Sequence, residues 1–436
     1  MNRTFVLILL DGLGDRSYAE LGGKTPLQAA ETPFLDELAG MGCNGLFHAS
    51  FQGQALPSEN AHFAMFGYKP DDFPGRGALE ALGAGIDLAM NDVAVLANLV
   101  QVAEEDGCLK FVREKVKADK SYFQQAFKRI ASFSSDVVEL ELIPYKGSFA
   151  IIKLTGVVSP FITDSNPIVE GRFLLEVFPW KEYSSHEPSI RTAKIMNQYL
   201  AWAWKTLSRN VQSDPDADSS AAVLNGLITQ RAGQLKKVIP FHEKFGLNGA
   251  SISSGAIYAG LCSYLGIKHI KGHEDDDPGE EIRHRIHQAH GLLDTHNFIH
   301  VHSKAPDEAG HAKDPLLKRQ AIEQLDKGLA ASLPQLLKRK DIVLAVTADH
   351  STPCRGVMVH SGEPVPLCIL GPGVRKDYVK KFDEVSAGAG GLGFVRGPEL
   401  MPMVLNYLDR GKLVGLMDTP VDQPYWPGRS KPLRVD

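Results

Sequence analysis

The chain has no paired-cysteine spacing. Its five cysteines, Cys43, Cys108, Cys262, Cys354 and Cys368, are scattered, odd in number and form no CxxC. That pattern excludes a thiolate zinc cage and a disulfide framework, and it suits reduced thiols in a cytoplasm. Long apolar runs are missing too. The run at residues 5–10 is far too short to cross a membrane, and Asp11 follows where a signal peptide needs small residues. Neither charge is in large excess: the net value is −5 over 436 residues, which gives no general attraction to nucleic acid or to an anionic membrane. Internal repeats and low-complexity tracts are absent. The expectation is a cytoplasmic protein with no nucleic-acid or membrane partner. Any positive charge it uses must be held locally, in a pocket or on metals.

What is present is ordinary globular material, 43% hydrophobic and 23% charged, enough for two or three domains. Four short, β-branched apolar runs lie at residues 5–10, 298–301, 342–346 and 365–370. They read as central strands of a parallel sheet, with helical patterns such as 316–336 and 399–408 between them. Residues 91–230 differ. They hold alternating segments at 137–143 and 150–154, an amphipathic stretch with two tryptophans at 192–207, and an Asp/Ser-rich loop at 212–220. The predicted fold is α/β: a central, mostly parallel sheet flanked by helices, built from residues 1–90 and 231–436. A smaller α+β domain at 91–230 is inserted into it.

Chemistry collects just after the strands. The first run ends in Asp11-Gly12. The second leads through His302 to Asp307 and His311, and the third ends in Asp349-His350, with His360 ten residues on. Ligands gather at the carboxyl ends of strands in open parallel sheets. Asp307 and His311 are four apart, so on a helical turn they share a face and can grip one ion. A single Asp after a strand is usually a turn or cap residue. Three strand ends that each deliver Asp or His favour metal. Mixed carboxylate and imidazole suits manganese or zinc better than magnesium. Ser58, in Pro57-Ser58-Glu59-Asn60, reads by itself as a helix N-cap. A helix start also presents free N–H groups to a phosphoryl group, and a nearby metal would activate the hydroxyl.

These segments resemble the 2,3-bisphosphoglycerate-independent phosphoglycerate mutases of the shorter archaeal type, within the alkaline phosphatase superfamily. The likeness is carried by Asp11-Gly12-Leu13-Gly14-Asp15, Gly23-Lys24-Thr25-Pro26-Leu27, Thr32-Pro33-Phe34-Leu35-Asp36, and Gly75-Arg76-Gly77 with Glu80-Ala81-Leu82-Gly83-Ala84-Gly85. It resumes at His302-Ser303-Lys304-Ala305, at Asp307-Glu308-Ala309-Gly310-His311, and at Asp349-His350-Ser351-Thr352-Pro353. The resemblance implies an alkaline-phosphatase-like core and two divalent ions, without 2,3-bisphosphoglycerate as cofactor. One ion would be held by Asp307, His311 and His360, the other by Asp11, Ser58, Asp349 and His350. Ser58 would carry the phosphoryl group between the 2- and 3-hydroxyls of phosphoglycerate. Arg76, Arg113, Arg231, His302 and Lys304 are the implied or candidate substrate contacts, with His302 and Lys304 equally open to packing the strand edge.

The inserted region departs from the family pattern. An expected Asp-Pro-His reads Asn166-Pro167-Ile168, and Arg-Gly-Ala-Gly becomes Gln230-Arg231-Ala232-Gly233. An Arg-x-x-Gly-type motif is replaced by Val112-Arg113-Glu114-Lys115, and Glu59-Asn60 stands after the serine where Asp-Thr is usual. The metal residues are kept and the substrate-reading ones are altered. A phosphatase or phosphotransferase acting on another small phosphorylated metabolite is therefore the alternative, and a non-catalytic binding protein is a third reading. The GxGxxG match at 388–393 has no strand before it and reads as a flexible loop. His284, His287 and His290 read as a solvated helix face, and 274–277 as an exposed acidic loop.

Overall fold

A run such as Thr4–Leu10, buried at every position, has no polar face to give to water. It can only be a central strand with packing on both sides. The computed structural model describes residues 3–114, 120–135, 137–209 and 224–435. The expected loop at 212–220 and Lys115 lie outside the described residues. In chain order the strands are β1 (Thr4–Leu10), β2 (Cys43–His48), β3 (Val93–Glu105), β4 (Cys108–Arg113), β5 (Ser132–Ser135), β6 (Val138–Lys146) and β7 (Phe149–Gly156). They continue with β8 (Gly226–Gln234), β9 (Gly249–Ser253), β10 (Lys268–Lys271), β11 (Phe298–Ser303), β12 (Ile342–Thr347), β13 (Val365–Leu370) and β14 (Gly393–Arg396). The helices that matter below are α1 (Ser58–Met65), α2 (Arg76–Gly83), α3 (Glu187–Ser208), α4 (Ala256–Leu265), α5 (Ala305–His311), α6 (Pro315–Ser332) and α7 (Gly397–Tyr407). Among the described residues no helix is long and apolar enough to cross a membrane.

The chain divides into two compact units, Met1–Phe73 with Val238–Asp436, and Pro74–Lys237. The first holds an eight-stranded sheet in the order β10-β9-β11-β1-β12-β13-β2-β14. Neighbours run parallel except around β13, which is antiparallel to both β12 and β2. The sequence reading made 365–370 another parallel strand. It is reversed because no helix lies between Thr347 and Val365, and a parallel return needs a crossover. Leu10 stands opposite Ser303, and Leu9 opposite Thr347, so the carboxyl ends of β11, β1 and β12 lie side by side. Whatever follows these three strands is delivered to one edge. The helix expected at 316–336 breaks at Leu333, where Pro334 starts a separate turn. The glycine run at 388–393, expected to be a flexible loop, is largely exposed but anchored at Gly390 and Gly391. A Cβ on Gly390 would sit 2.1 Å from the Asn44 carbonyl, and Gly391 N–H donates to Asp377.

The second unit is an antiparallel sheet in the order β4-β3-β7-β6-β5, with β8 also paired to β3. Alternation along β6 buries Val138, Leu140 and Leu142, which pack with Leu99, Ile152 and, from α3, Met196 and Tyr199. This unit also takes α2, which the sequence reading left in the first domain. Gly77 is the reason: a Cβ there would meet the carbonyl oxygens of Ala94 at 2.2 Å and Arg231 at 2.8 Å, on β3 and β8. Helix and sheet touch backbone to backbone. The crossings therefore fall at 73/74 and 237/238, outside the expected 91–230.

Gly77→Ala should accordingly destabilise the inserted unit by about 1–3 kcal/mol, the cost of overpacking. The gain in helix propensity, at most about 1 kcal/mol, is too small to offset it. Urea unfolding followed by tryptophan fluorescence tests this, since Trp180, Trp202 and Trp204 lie in that unit. An unchanged or higher midpoint would contradict the close packing.

Candidate metal centre and active site

Asp11 leaves β1 with its backbone N–H bonded to the Ser303 carbonyl. Gly12 follows at φ 64, and a Cβ there would lie 2.5 Å from Thr352 Oγ1 and 2.8 Å from Asp307 Cα. Only glycine lets the three ligand-bearing loops approach this closely. The Tyr258 hydroxyl on α4 donates to Asp11 Oδ2 at 2.8 Å, and His302 Nε2 lies 2.9 Å from the same oxygen. Asp349 Oδ1 accepts from the backbone N–H of Gly12 and of His350. The other oxygens, Asp11 Oδ1 and Asp349 Oδ2, are buried and have no hydrogen-bond donor.

Both bare oxygens flank one nitrogen. His350 Nε2 lies 3.3 Å from Asp11 Oδ1, 3.2 Å from Asp349 Oδ2 and 2.9 Å from Ser58 Oγ. The tautomer follows from the neighbours. Thr352 Oγ1 donates to Asp307 Oδ1 at 2.8 Å, so at 3.2 Å it can only accept, from His350 Nδ1–H. That leaves an Nε2 lone pair facing the carboxylates. Burial pushes His350 down to about 4, so it is neutral at pH 7. Burial also drives Asp349 well above the carboxylate range, with the charge of Asp11 adding to it. For Asp11 burial acts in the same sense, but His302 and His350 carry it to the low side.

The second cluster centres on Asp307 on α5. Its Oδ1 lies 3.2 Å from His311 Nε2 and 3.5 Å from His360 Nε2. His360 Nδ1–H donates to the Leu56 carbonyl at 2.8 Å, which turns Nε2 toward Asp307; burial disfavours a charged ring here, but the bonds to Asp307 and Leu56 outweigh it and push His360 up. Burial opposes ionisation of Asp307, yet His311 and His360 outweigh it and hold the carboxyl below its usual range. Among the described residues two groups have the spacing of a metal site: Asp11, Asp349 and His350, and Asp307, His350 and His360. The His350 and His360 rings stack at 3.7 Å, so the two lie next to each other. Two buried carboxylate oxygens without donors, beside the lone pair of His350 Nε2, fit a divalent cation. Left alone they would carry a large desolvation cost.

Ser58 is the first residue of α1, and the N-cap position is held by Pro57. Its hydroxyl makes no capping bond and faces His350 instead, which corrects the simple N-cap reading. Lys304, half exposed, lies 3.8 Å from Asp307 Oδ2. His302 does not fit the substrate contact suggested for it, because it is buried and bonded to Asp11. Arg76, Arg113 and Arg231 all belong to the inserted unit. Arg76 Nε donates to Glu80 Oε1 at 2.6 Å and lines a recess of about 70 Å³ with Asn98, Asn166 and Gln230. Arg113 is exposed at the end of β4, and Arg231 is exposed at φ 59 with its N–H on Asp164. Sequence reasoning missed Tyr258, which sits in an apolar helix and gives no polar signal. It also passed over Thr352, whose only signal was its place in the Asp349-His350-Ser351-Thr352-Pro353 run.

A family model for the metalloenzyme superfamily matches residues 3–407. The fold and the paired carboxylate–imidazole clusters thus belong to a metal-dependent enzyme of that superfamily. The 2,3-bisphosphoglycerate-independent phosphoglycerate mutase 2 of Methanocaldococcus jannaschii is 36% identical over 419 residues, covering 94% of both chains. The corresponding mutase of Pyrococcus furiosus is 33% identical, over 95% of this chain and 99% of that one. A cofactor-independent phosphoglycerate mutase structure from Thermoplasma acidophilum superposes with a TM-score of 0.61 at 28% identity, over 93% of this chain and all of that one. A protein structure from Pyrococcus horikoshii reaches 0.77 at 29% identity, over 95% of this chain and all of that one. The chain belongs to the 2,3-bisphosphoglycerate-independent phosphoglycerate mutase family, and it is a metal-dependent phosphomutase.

Stripping the protein with a chelator and titrating manganese back should therefore raise its thermal midpoint. An ion at about 100 times its Kd adds about 2.7 kcal/mol per site. Asp349→Ala, which removes one of the bare oxygens, should reduce that gain. No shift with manganese, cobalt, zinc or magnesium would refute cation binding here.

Proposed function

We propose that this chain interconverts 2- and 3-phosphoglycerate by passing the phosphoryl group through Ser58. The carrying observation is the Ser58 hydroxyl, uncapped and 2.9 Å from His350 Nε2, beside the bare oxygens of Asp11 and Asp349. Relatives bearing the mutase name over nearly the full length support the substrate. Ser58 Oγ attacks phosphorus and gives up its proton. The bond from phosphorus to the ester oxygen breaks, and glycerate leaves as the alcohol with a proton gained. The reverse step onto the other hydroxyl gives the isomer.

Each residue has a proposed part. Asp11, Ser58, Asp349 and His350 would hold one ion, and Asp307, His311 and His360 the other, with manganese or zinc suiting the donors. Such ions supply the positive charge that lowers the serine hydroxyl's pKa and neutralises the leaving oxygen. The positive end of α1 points toward a phosphoryl group on Ser58. Lys304, at the rim beside Asp307, is the candidate phosphate contact, and Arg76, Arg113 and Arg231 are candidates for the substrate's acid groups.

One observation favours the second reading, a phosphatase or phosphotransferase on another phosphomonoester. Asn166 Nδ2 donates to Gln230 Oε1 at 3.0 Å. The two altered positions form a neutral pair where the resemblance leads one to expect aspartate and arginine. A coupled assay with each phosphoglycerate isomer, run against a panel of other phosphomonoesters, decides between the readings. We expect isomerisation by the wild type, a labelled phosphoserine after acid quench, and the loss of both in a folded Ser58→Ala. Labelled phosphoenzyme persisting in Ser58→Ala would eliminate Ser58 as the carrier. Release of phosphate from another ester with no isomerisation would favour the second reading.

A further inference from the structure

Behind the ligand loops lies a buried ammonium that none of the chemistry above uses. Lys318, on α6, has no exposed side-chain surface. Its three N–H groups meet three acceptors: the Gly14 carbonyl at 2.9 Å, the Thr352 carbonyl at 2.9 Å and Asp15 Oδ2 at 3.1 Å. An ammonium has three donors, so the set is complete. Asp15 is shared further. Its Oδ1 accepts from the Tyr18 hydroxyl, Arg16 N–H and Cys354 N–H.

The acceptors matter for where they sit. Gly14 and Asp15 follow Asp11 in the loop after β1. Thr352 follows Asp349 and His350 in the loop after β12, and its hydroxyl donates to Asp307. Thr352 N–H bonds back to the Gly14 carbonyl at 2.9 Å, and Ser351 bridges to Leu13, Gly14 and Ser361. Helix α6 itself begins shortly after α5, which bears Asp307 and His311. One ammonium therefore ties the ligand loops after β1 and β12 to each other, from the helix that follows the third ligand-bearing segment. A Cβ on Gly14 would lie 2.2 Å from Ser351 Oγ, so the two loops that Lys318 bonds also touch each other closely.

We infer that Lys318 is a positioning residue that sets the separation of the two carboxylate–imidazole clusters and thereby their affinity for divalent cations. It touches neither ion nor substrate. It acts by holding the Gly14 and Thr352 carbonyls on one point. Groups that orient metal ligands in this way typically govern affinity by roughly ten- to a hundredfold. The inference rests on the reading of both clusters as metal sites.

The test is calorimetric titration of the chelator-stripped full chain with manganese, comparing wild type, Lys318→Met and the double variant Asp15→Asn/Lys318→Met. The single variant leaves a buried carboxylate unpaired and can lose its fold. The double variant removes both charges, and asparagine keeps an oxygen for Tyr18, Arg16 and Cys354. The expected result is a metal-free double variant whose thermal midpoint is close to that of the metal-free wild type. Its manganese Kd should be raised roughly ten- to a hundredfold, and its Mn(II) resonance spectrum should be altered. A folded variant that binds manganese as tightly as wild type would overturn the inference and make Lys318 merely structural. Failure of both variants to fold would overturn it too, assigning the residue to the core. If the wild type itself takes up no manganese, the metal-site reading fails first, and the two failures are distinguishable.

Discussion

Two carboxylates in a dry place, each with one oxygen deliberately left without a donor, set the terms for this molecule. Asp11 Oδ1 and Asp349 Oδ2 crowd His350 Nε2, and burial makes such an arrangement unfavourable until positive charge arrives. Among the described residues no lysine or arginine pairs with either carboxylate. Lys318 is buried nearby but spent on carbonyls and on Asp15. What surrounds the pair serves to keep it in place. Tyr258 and His302 fix the far oxygen of Asp11, the Gly12 and His350 amides fix that of Asp349, and Thr352 spans from Asp307 to His350. A centre tolerating this much electrostatic strain needs a stiff support, and three adjacent, fully buried parallel strands provide one.

The ligand residues could be read from sequence because each stands directly after an apolar run. Asp11 follows β1, Asp307 and His311 follow β11, and Asp349 and His350 follow β12, so strand ends pointed to them before any geometry was known. The reversal of β13 could not be read, because an apolar run looks the same in either direction. Tyr258 was hidden by its helix, where an aromatic among apolar residues signals only packing. Lys318 was hidden for the opposite reason: a lysine on an amphipathic helix reads as solvent-facing, and its partner Asp15 lies at the far end of the sequence. For His302 the sequence left two readings open, a phosphate contact or packing at the edge, and the structure bonds it to Asp11, since residues near a strand end carry no sign of which face they take. The placement of α2 in the inserted unit turned on the missing side chain of Gly77, and a glycine in a sequence does not say which backbone it must approach.

The discontinuity of the first unit has a consequence for how the chain is made. Phe5 pairs with Phe298 and with Val343, so β1 has no hydrogen-bonding neighbour in its sheet until β11 has left the ribosome. The inserted unit, by contrast, is one unbroken stretch from Pro74 to Lys237 with its own core, and all of it is synthesised before β11 exists. During translation an apolar strand therefore waits unpaired while a complete neighbour assembles downstream. Contacts this distant in sequence are slow to form, and exposed edges of this kind attract other chains. The same sheet that gathers three ligand loops to one edge thus leaves β1 waiting for partners made long after it.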